Sequence, residues 1–395
     1  MERSDPTRSL RCFAVAEPQP RLHVRTACAL PHDPAVQLAH DAVVLPLLWD
    51  FYASRAAPRP LADHGRVVGV DLTMPDLEPQ RLWDEAAVLL RTVQHAVSTG
   101  AAPADATDRA LTRVVAAHTQ RSYDLATLAT FSGPPVGSAA GAPTRLHADQ
   151  VAALALAGAR QVIADAPGRA DRLAASVLLT ATHSPTRPAE ADEPAVELPV
   201  RLPRGAAPPP WVEVASPHAE LAYLQIRRAI PPVSTVRALA AALIANQAWV
   251  GPYSSVVDHA IRSREAASYL WDCVVDLTRG EFMMLVAPDP RAADRVIAIV
   301  RQAHSDGGRV PPEMVDTARR IIRTDLLRRL GSAKRVLAGQ FEVQRAGLPV
   351  RFTASLLGAL REVTHQEVAA ALPAVLAEPL AITLVIPSGP GARST

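Results

Sequence analysis

The feature that most constrains the fold is an order of secondary structure that repeats on either side of a proline-rich stretch. Residues 188–210 show no helical or strand periodicity and end in three consecutive prolines, Pro208, Pro209 and Pro210. A stretch of this kind has few backbone donors and behaves as a semi-rigid linker. We therefore divide the 395 residues into an N-terminal half, 1–187, the linker 188–210, and a C-terminal half, 211–395.

Both halves alternate strands with helices. The first half is predicted to form strands over 22–29, 67–73 and 173–180 and helices over 34–53, 80–97, 104–129 and 147–163. The second half is predicted to form strands over 219–227, 269–277, 281–287 and 381–386 and helices over 235–247, 291–304, 312–346 and 366–377. The shared order indicates an internal duplication. It predicts an α+β protein in which helices cover a mixed sheet.

Local signals mark several boundaries. Pro290 and Pro312 fit the first turn of a helix, where a missing N–H is tolerated. Thr364 and Glu367 have the spacing of a capping box. Gly280 supplies the positive φ of a hairpin turn between two apolar runs.

Composition excludes several classes of protein. With 49% apolar and 20% charged residues the chain is globular. The net charge of +2 provides no basic face for nucleic acid or for a membrane surface. Cys12, Cys28 and Cys273 form no C-x-x-C pair and are odd in number, so a reducing, cytoplasmic location is expected. The N-terminus lacks a signal-peptide pattern, and no apolar run approaches the roughly 20 residues of a transmembrane helix.

The stretch 258–271, DHAIRSREAASYLW, places Arg262 seven residues before Tyr269. This pair, the hairpin after it and the helix opened by Pro311-Pro312-Glu313 resemble the C-terminal half of the inverted-zinc (pitrilysin/insulinase-type) metallopeptidases. The resemblance implies a duplicated, mitochondrial-processing-peptidase-like (LuxS-like) fold of two similar sandwich halves. It also implies that Arg262 and Tyr269 donate hydrogen bonds to a substrate carbonyl and to its developing oxyanion.

Catalytic members of that family carry H-x-x-E-H on a helix of the N-terminal half, where two histidines bind Zn²⁺ and the glutamate activates water. In the equivalent helix of this chain only His40 matches, because Val43 and Val44 stand where the base and the second ligand belong. The third ligand is a glutamate in the family, but the helix predicted over 104–129 offers only aspartates, at positions 105, 108 and 124. We therefore expect no cofactor in this chain, and zinc in a partner subunit.

Other polar groups have simpler interpretations. The Gly/Pro segment 132–143 lacks the Lys-Ser/Thr of a phosphate loop and reads as a surface loop. Five arginines between 319 and 329 form either a solvated helix face or a groove for an acidic peptide. The remaining histidines are expected to be solvated or to be satisfied singly; they include His23, His95, His118, His147 and His183.

Two functions remain open. The chain is either the non-catalytic, substrate-positioning subunit of a heterodimeric zinc peptidase, whose substrates in this family include precursor and leader peptides, or an inert scaffold or peptide-binding protein of the same fold. The first requires a homologous partner that carries H-x-x-E-H and loss of activity on Arg262→Ala. The second requires neither.

Overall fold

The computed structural model of the chain divides into two compact units, Met1–Ala117 with Ala152–Glu190, and His118–Val151 with Ala191–Thr395. Residues 118–151 therefore belong with the C-terminal part of the chain. The structure describes residues 10–16, 21–28, 33–53, 59–63, 66–73, 79–100, 104–131, 144–173, 176–183, 199–202, 210–264, 268–307, 309–331, 335–336, 339–340, 342–343, 346–349 and 351–388. Most of the predicted linker and the whole segment 132–143 lie outside these residues.

The first unit contains a five-stranded mixed sheet in the order β1-β6-β2-β4-β3. Its strands are β1 (Leu10–Ala16), β2 (Arg21–Ala27), β3 (Arg59–Asp63), β4 (Arg66–Thr73) and β6 (Ser176–His183). Strands β1 and β6 run parallel, and the other neighbours are antiparallel. At the centre of the sheet Leu22 pairs with Leu72 and Val24 pairs with Val70.

Two long helices pack on this sheet and on each other. They are α1 (Pro34–Ala53), which contacts β2 and β4, and α2 (Pro79–Ser98), which contacts β1 and β6. Asp33 caps α1 by accepting the amides of Ala35 and Val36, and Pro34 occupies the first helical position. The unit also contains α3 (Ala104–Thr119), most of α5 (Ala148–Asp165) and the short α6 (Ala170–Leu173).

The second unit contains a six-stranded sheet in the order β5-β7-β11-β8-β10-β9. Its strands are β5 (Thr144–His147), β7 (Trp211–Ser216), β8 (Tyr223–Ala229), β9 (Ser268–Asp276), β10 (Glu281–Pro288) and β11 (Ala381–Pro387). The pairs β5–β7 and β7–β11 are parallel. The pairs β11–β8, β8–β10 and β10–β9 are antiparallel.

Helix α7 (Val236–Val250) forms the centre of the main core of the second unit. Thr235 caps it by accepting the amide of Ala238. Around α7 pack α8 (Val256–Arg264), α10 (Pro312–Leu330), α11 (Phe352–Glu362) and α12 (His365–Ala377), and α9 (Ala293–Ser305) packs on α8. Leu224, Ile226 and Leu384 face this core. The opposite face of the sheet carries α4 (Ser122–Phe131), where Thr130 bonds Thr383 at 2.9 Å.

The duplication is confirmed strand by strand. The order β1-β6-β2-β4-β3 in the first unit corresponds to β7-β11-β8-β10-β9 in the second, and each pair keeps its parallel or antiparallel sense. Helices α1 and α7 follow the equivalent strands β2 and β8. The α+β class with helices covering a mixed sheet is therefore correct.

Two predicted helices were too long. The helix predicted over 104–129 is two helices, α3 and α4, separated at Gln120 and Arg121. The helix predicted over 312–346 ends at Leu330, where the amide of Gly331 closes the last turn on the carbonyls of Leu327 and Arg328. Apolar periodicity continues across both breaks, so sequence alone joined the pieces.

Other boundaries were confirmed or corrected. Pro312 starts α10, and Thr364 and Glu367 form the predicted capping box of α12. Gly280 has a φ of +65° in the β9–β10 hairpin. Pro290 was placed wrongly, because α9 begins three residues later at Ala293. Strands β1, β3, β5 and β7 and helices α8 and α11 were not predicted from sequence. None of the described helices has the length and apolarity needed to cross a bilayer.

Candidate functional site

The element that carries Arg262 begins with a tight turn after α7. Gly251 packs so closely on the preceding helix that a Cβ there would lie 2.4 Å from the carbonyl oxygen of Gln247. Buried Ser255 then caps α8, because its Oγ accepts the amide of Asp258 at 3.1 Å. Helix α8 therefore starts from a position fixed by a close backbone approach and by a side-chain cap.

Arg262 is held at one edge of its guanidinium. Its Nε donates to Oδ1 of Asp258 at 2.8 Å, and this hydrogen bond raises the pKa of Arg262. Asp258 is 3% exposed and Arg262 is 62% exposed at the side chain. Among the described residues no acceptor bonds the two Nη groups. The result is a permanent cation that Asp258 orients through Nε and that presents its two Nη groups to solvent.

Tyr269 is the second residue of β9, next to an irregularity in the pairing with β10. Ala287 pairs with Leu270 and Pro288 pairs with Ser268, so the register shifts at Tyr269. A bulge of this kind is common beside active sites. The side chain of Tyr269, like the residues 265–267 that join α8 to β9, lies outside the described part of the structure, so its pairing with Arg262 stays a prediction.

The position of the expected zinc motif is part of a core. His40 is 2% exposed, and its Nδ1 lies 3.0 Å from Oδ1 of Asp41. Gln37 donates to the same Asp41 oxygen at 2.9 Å. Val43 and Val44 are 7% and 0% exposed. Apolar side chains occupy the ligand and base positions, so these residues do not fit a zinc ion.

The carboxylates considered for a third ligand have other partners. Asp108 receives Nε of Arg160 at 2.8 Å, which lowers the pKa of Asp108. Asp124 lies 3.0 Å from Nδ1 of His118. Within the described ranges no three His, Cys, Asp or Glu side chains converge as a metal site would require.

Two consecutive arginines of β8 are buried, and they lie on opposite faces of the second sheet. Arg227 pairs with Glu281 on the α4 face. Arg228 bonds Oδ1 of Asn246 on the α7 face, and its Cζ lies 4.4 Å from the Trp249 ring centre. Burial lowers the pKa of Arg228 to about 9. The first pair joins β8 to β10, and the second joins β8 to α7. Neither pair was predicted from sequence, since nothing in the spacing of the residues marks them.

The arginines of α10 are largely engaged with their own surroundings. Arg319 donates to the carbonyl of Val363 at 2.8 Å, which links α10 to the end of α11. Arg328 lies 3.6 Å from Asp325. These contacts favour a solvated face over a groove for an acidic peptide.

Asp258 begins the stretch 258–271, but no role was predicted for it from sequence. Its i,i+4 spacing to Arg262 on a helix is the signal that would have found it. The exposed Tyr253 in the turn before α8 was also missed, because a single aromatic residue in a loop has no sequence signature.

The sequence matches no family model. No curated protein matches it either. Solved structures do match, over almost the whole chain. A conserved protein from Enterococcus faecalis V583 covers 98% of this chain with 97% of its own, at 14% identity and a TM-score of 0.56. The peptidase M16 inactive domain from Pseudomonas fluorescens covers 96% of each chain, at 16% identity and a TM-score of 0.55.

A more distant likeness extends to a larger peptidase. Pitrilysin covers 98% of this chain at 12% identity and a TM-score of 0.50, but only 43% of the pitrilysin chain is matched. The chain thus spans less than half of that protein. At such identities the comparison concerns the fold, and it agrees with the duplicated sheets and helices described above. The chain has the fold of the M16-like peptidases and of their inactive domains.

Proposed function

We propose that this chain is the non-catalytic, substrate-positioning subunit of a heterodimeric zinc peptidase. The observation that carries the proposal is the state of Arg262, an exposed guanidinium that a buried carboxylate orients from beneath. The proposal is further supported by the similarity in fold to an inactive M16 domain.

The proposed chemistry is orientation and charge stabilisation. The Nη groups of Arg262 and the phenol of Tyr269 would donate hydrogen bonds to a peptide carbonyl next to the scissile bond. Donors fixed before the reaction stabilise the negative charge that develops on that oxygen. In this proposal Asp258 is a positioning residue, because it touches Arg262 and not the peptide.

The partner would be a homologous chain with an intact H-x-x-E-H, and zinc bound there would supply the activated water. This chain would hold no metal of its own, a proposal supported by the burial of Val43 and Val44 at the positions of the base and the second ligand. The substrate would be a peptide, with precursor or leader peptides of peptide natural products as the proposed class, and the location cytoplasmic. Neither nucleic acid nor a membrane is proposed as a partner.

A catalytically inert scaffold is the alternative. One observation favours it: a chain of Complex III2 from Candida albicans covers 95% of this chain at 11% identity and a TM-score of 0.59. A scaffold would need an intact core and would tolerate changes at Arg262. The two functions therefore differ in what that side chain does.

The test is peptidase activity and bound zinc for this chain alone, for a co-expressed H-x-x-E-H homologue, and for their mixture. We expect cleavage only from the mixture, and loss of cleavage when the mixture contains Arg262→Ala. A homologue that cleaves equally well without this chain would replace the proposal with the scaffold.

A further inference from the structure

Tyr253 is the most exposed large hydrophobic side chain among the described residues. It is 78% exposed, whereas Tyr123 and Trp49 are each 38% exposed. A phenol ring so far out of the core loses the free energy that burial of an aromatic residue provides. It therefore contributes little to the fold through packing.

The backbone of Tyr253 is also strained. Its φ is +72°, and it is the only residue other than glycine with a positive φ in the part of the chain that the structure describes. A bulky side chain in this region strains the backbone, and residues held in strained conformations cluster at functional sites. Glycine would take this conformation without strain.

The neighbours of Tyr253 fix it in place. Gly251 cannot carry a side chain without meeting Gln247, and buried Ser255 caps α8 two residues after Tyr253. The turn is thus held at both ends, and the tyrosine lies between them.

Tyr253 belongs to the same element as the cation of the candidate site. Both residues lie in the segment 251–264, a turn followed by α8, with Tyr253 nine residues before Arg262. Asp258 is the main cause of the raised pKa of Arg262, and Tyr253 adds a smaller electrostatic contribution in the same direction. An exposed aromatic ring thus shares one short element with a guanidinium whose two Nη groups have no acceptor among the described residues.

We propose that Tyr253 is a specificity-determining residue that packs against an aromatic or large aliphatic side chain of the peptide, next to the carbonyl held by Arg262. The inference rests on the proposed function. Arg262 would disfavour a basic side chain at that point, because like charges repel. We expect a preference of about tenfold for Phe over Ala, which corresponds to about 1.4 kcal/mol and lies within what an aromatic pair adds beyond area burial.

The test uses the full chain and fluorescein-labelled pools of random nonapeptides with the central residue fixed as Phe, Leu, Ala, Lys or Asp. Fluorescence polarisation gives the affinity of each pool for the wild-type chain and for the variants Tyr253→Phe, Tyr253→Ala and Tyr253→Gly. We expect wild type and Tyr253→Phe to bind the Phe pool about tenfold more tightly than the Ala pool. Tyr253→Ala and Tyr253→Gly should bind the two pools equally.

Two controls make the result specific. Leu221→Ala removes another exposed side chain of the second unit and should keep the preference. The melting temperature separates binding from folding, since Tyr253→Gly relieves the positive φ and should leave Tm unchanged or raise it by about 1–2 °C. A preference that survives in Tyr253→Ala, or a fall in Tm for Tyr253→Gly, overturns the inference.

Arg262→Ala distinguishes this inference from the proposed function. If it weakens all pools equally while Tyr253→Ala changes only the preference, both stand. If it weakens all pools and Tyr253→Ala leaves the preference intact, only the role of Tyr253 fails. If no pool binds, or Arg262→Ala binds like wild type, the proposed function fails with it.

Discussion

The two units differ in the connection that follows the equivalent helices α1 and α7. In the first unit the chain passes from α1 to β3 through residues 54–58, and the site positions His40, Val43 and Val44 are buried in α1. In the second unit it passes from α7 to β9 through residues 251–267, which include α8 and the exposed Arg262. The shared repeat provides the core, and the longer connection of the second unit provides exposed chemical groups.

In the proposed function the second unit contributes to a site, and the first unit contributes only to the core. Buried positions on α1 can become apolar without loss of stability, because they then add to packing. A surface connection carries little of the core, so its polar groups remain only where they are used or tolerated. The following predictions test that division.

The largest effect is expected from restoring the zinc motif. Val43→Glu with Val44→His places two polar side chains at buried apolar positions of α1, and we expect a loss of about 4 kcal/mol or more in the free energy of unfolding. Urea unfolding measures it, and metal analysis should find no added zinc. Val88→Glu, on an exposed position of α2, is the matched control and should change stability by less than about 0.5 kcal/mol. A stable double variant that binds zinc would show that α1 can hold a metal ion. The first unit would then no longer differ from the second as a unit that contributes only to the core.

The second effect concerns activity. Arg262→Ala should lower kcat/KM of the mixture with the zinc-binding partner by about 10²–10³-fold, which is the usual effect of removing one oxyanion donor. Arg361→Ala removes an exposed arginine of α11 and should leave the rate within about twofold. Equal rates for both variants would show that Arg262, on the segment 251–264, takes no part in cleavage.

The third effect is a loss of stability without a change in rate. His40→Ala removes the 3.0 Å contact to buried Asp41 and should cost about 1–3 kcal/mol of stability, because a buried polar group loses a partner. The rate of the mixture at saturating folded protein should stay the same. Thermal unfolding together with kinetics checks both parts. A fall in kcat without a fall in Tm would show that α1 still takes part in chemistry.

The smallest effect is a pH dependence on the surface of the second unit. Hydrogen bonds from Arg237 and Thr364 lower the pKa of Glu367 to about 2 from its ordinary value of 4.5. Because the folded-state pKa is depressed, the stabilisation is complete above about pH 4.5 and is lost as the pH falls toward 2.

Both side chains of the Arg237–Glu367 pair are about two-fifths exposed, so solvent limits the contribution to below about 1 kcal/mol. Denaturant unfolding at several pH values should show a steeper acid loss in wild type than in Glu367→Gln. Parallel curves would show that the pair contributes nothing measurable, and the main contrast between the units would be unaffected.

Much of the fold could be predicted from the sequence. The bounds of α1 matched the prediction, because Asp33, Pro34 and a continuous apolar pattern all mark the same helix. The cap of α12 and the β9–β10 turn also followed from local chemistry at Thr364 and Gly280. Edge and near-edge strands such as β3 and β7 were missed, since a short strand depends on its neighbours more than on its own composition.

The candidate site could be predicted only in part. The position of Arg262 came from a resemblance, and its helix and its support by Asp258 came from the structure. Tyr253 could not be found from sequence, because exposure and a positive φ depend on how the turn is closed.

The sequence by itself determined the α+β class and the repeated order of elements, because periodicity and residue type are local properties. The assignment of His40, Val43 and Val44 to the positions of a zinc motif came from the family resemblance. Only the tertiary structure decided that 118–151 belongs to the second unit, that the valines are buried, and that Arg262 is exposed above a buried carboxylate. These outcomes depend on contacts between residues far apart in the chain, and the free energy of such contacts is set by burial and geometry that no single segment contains.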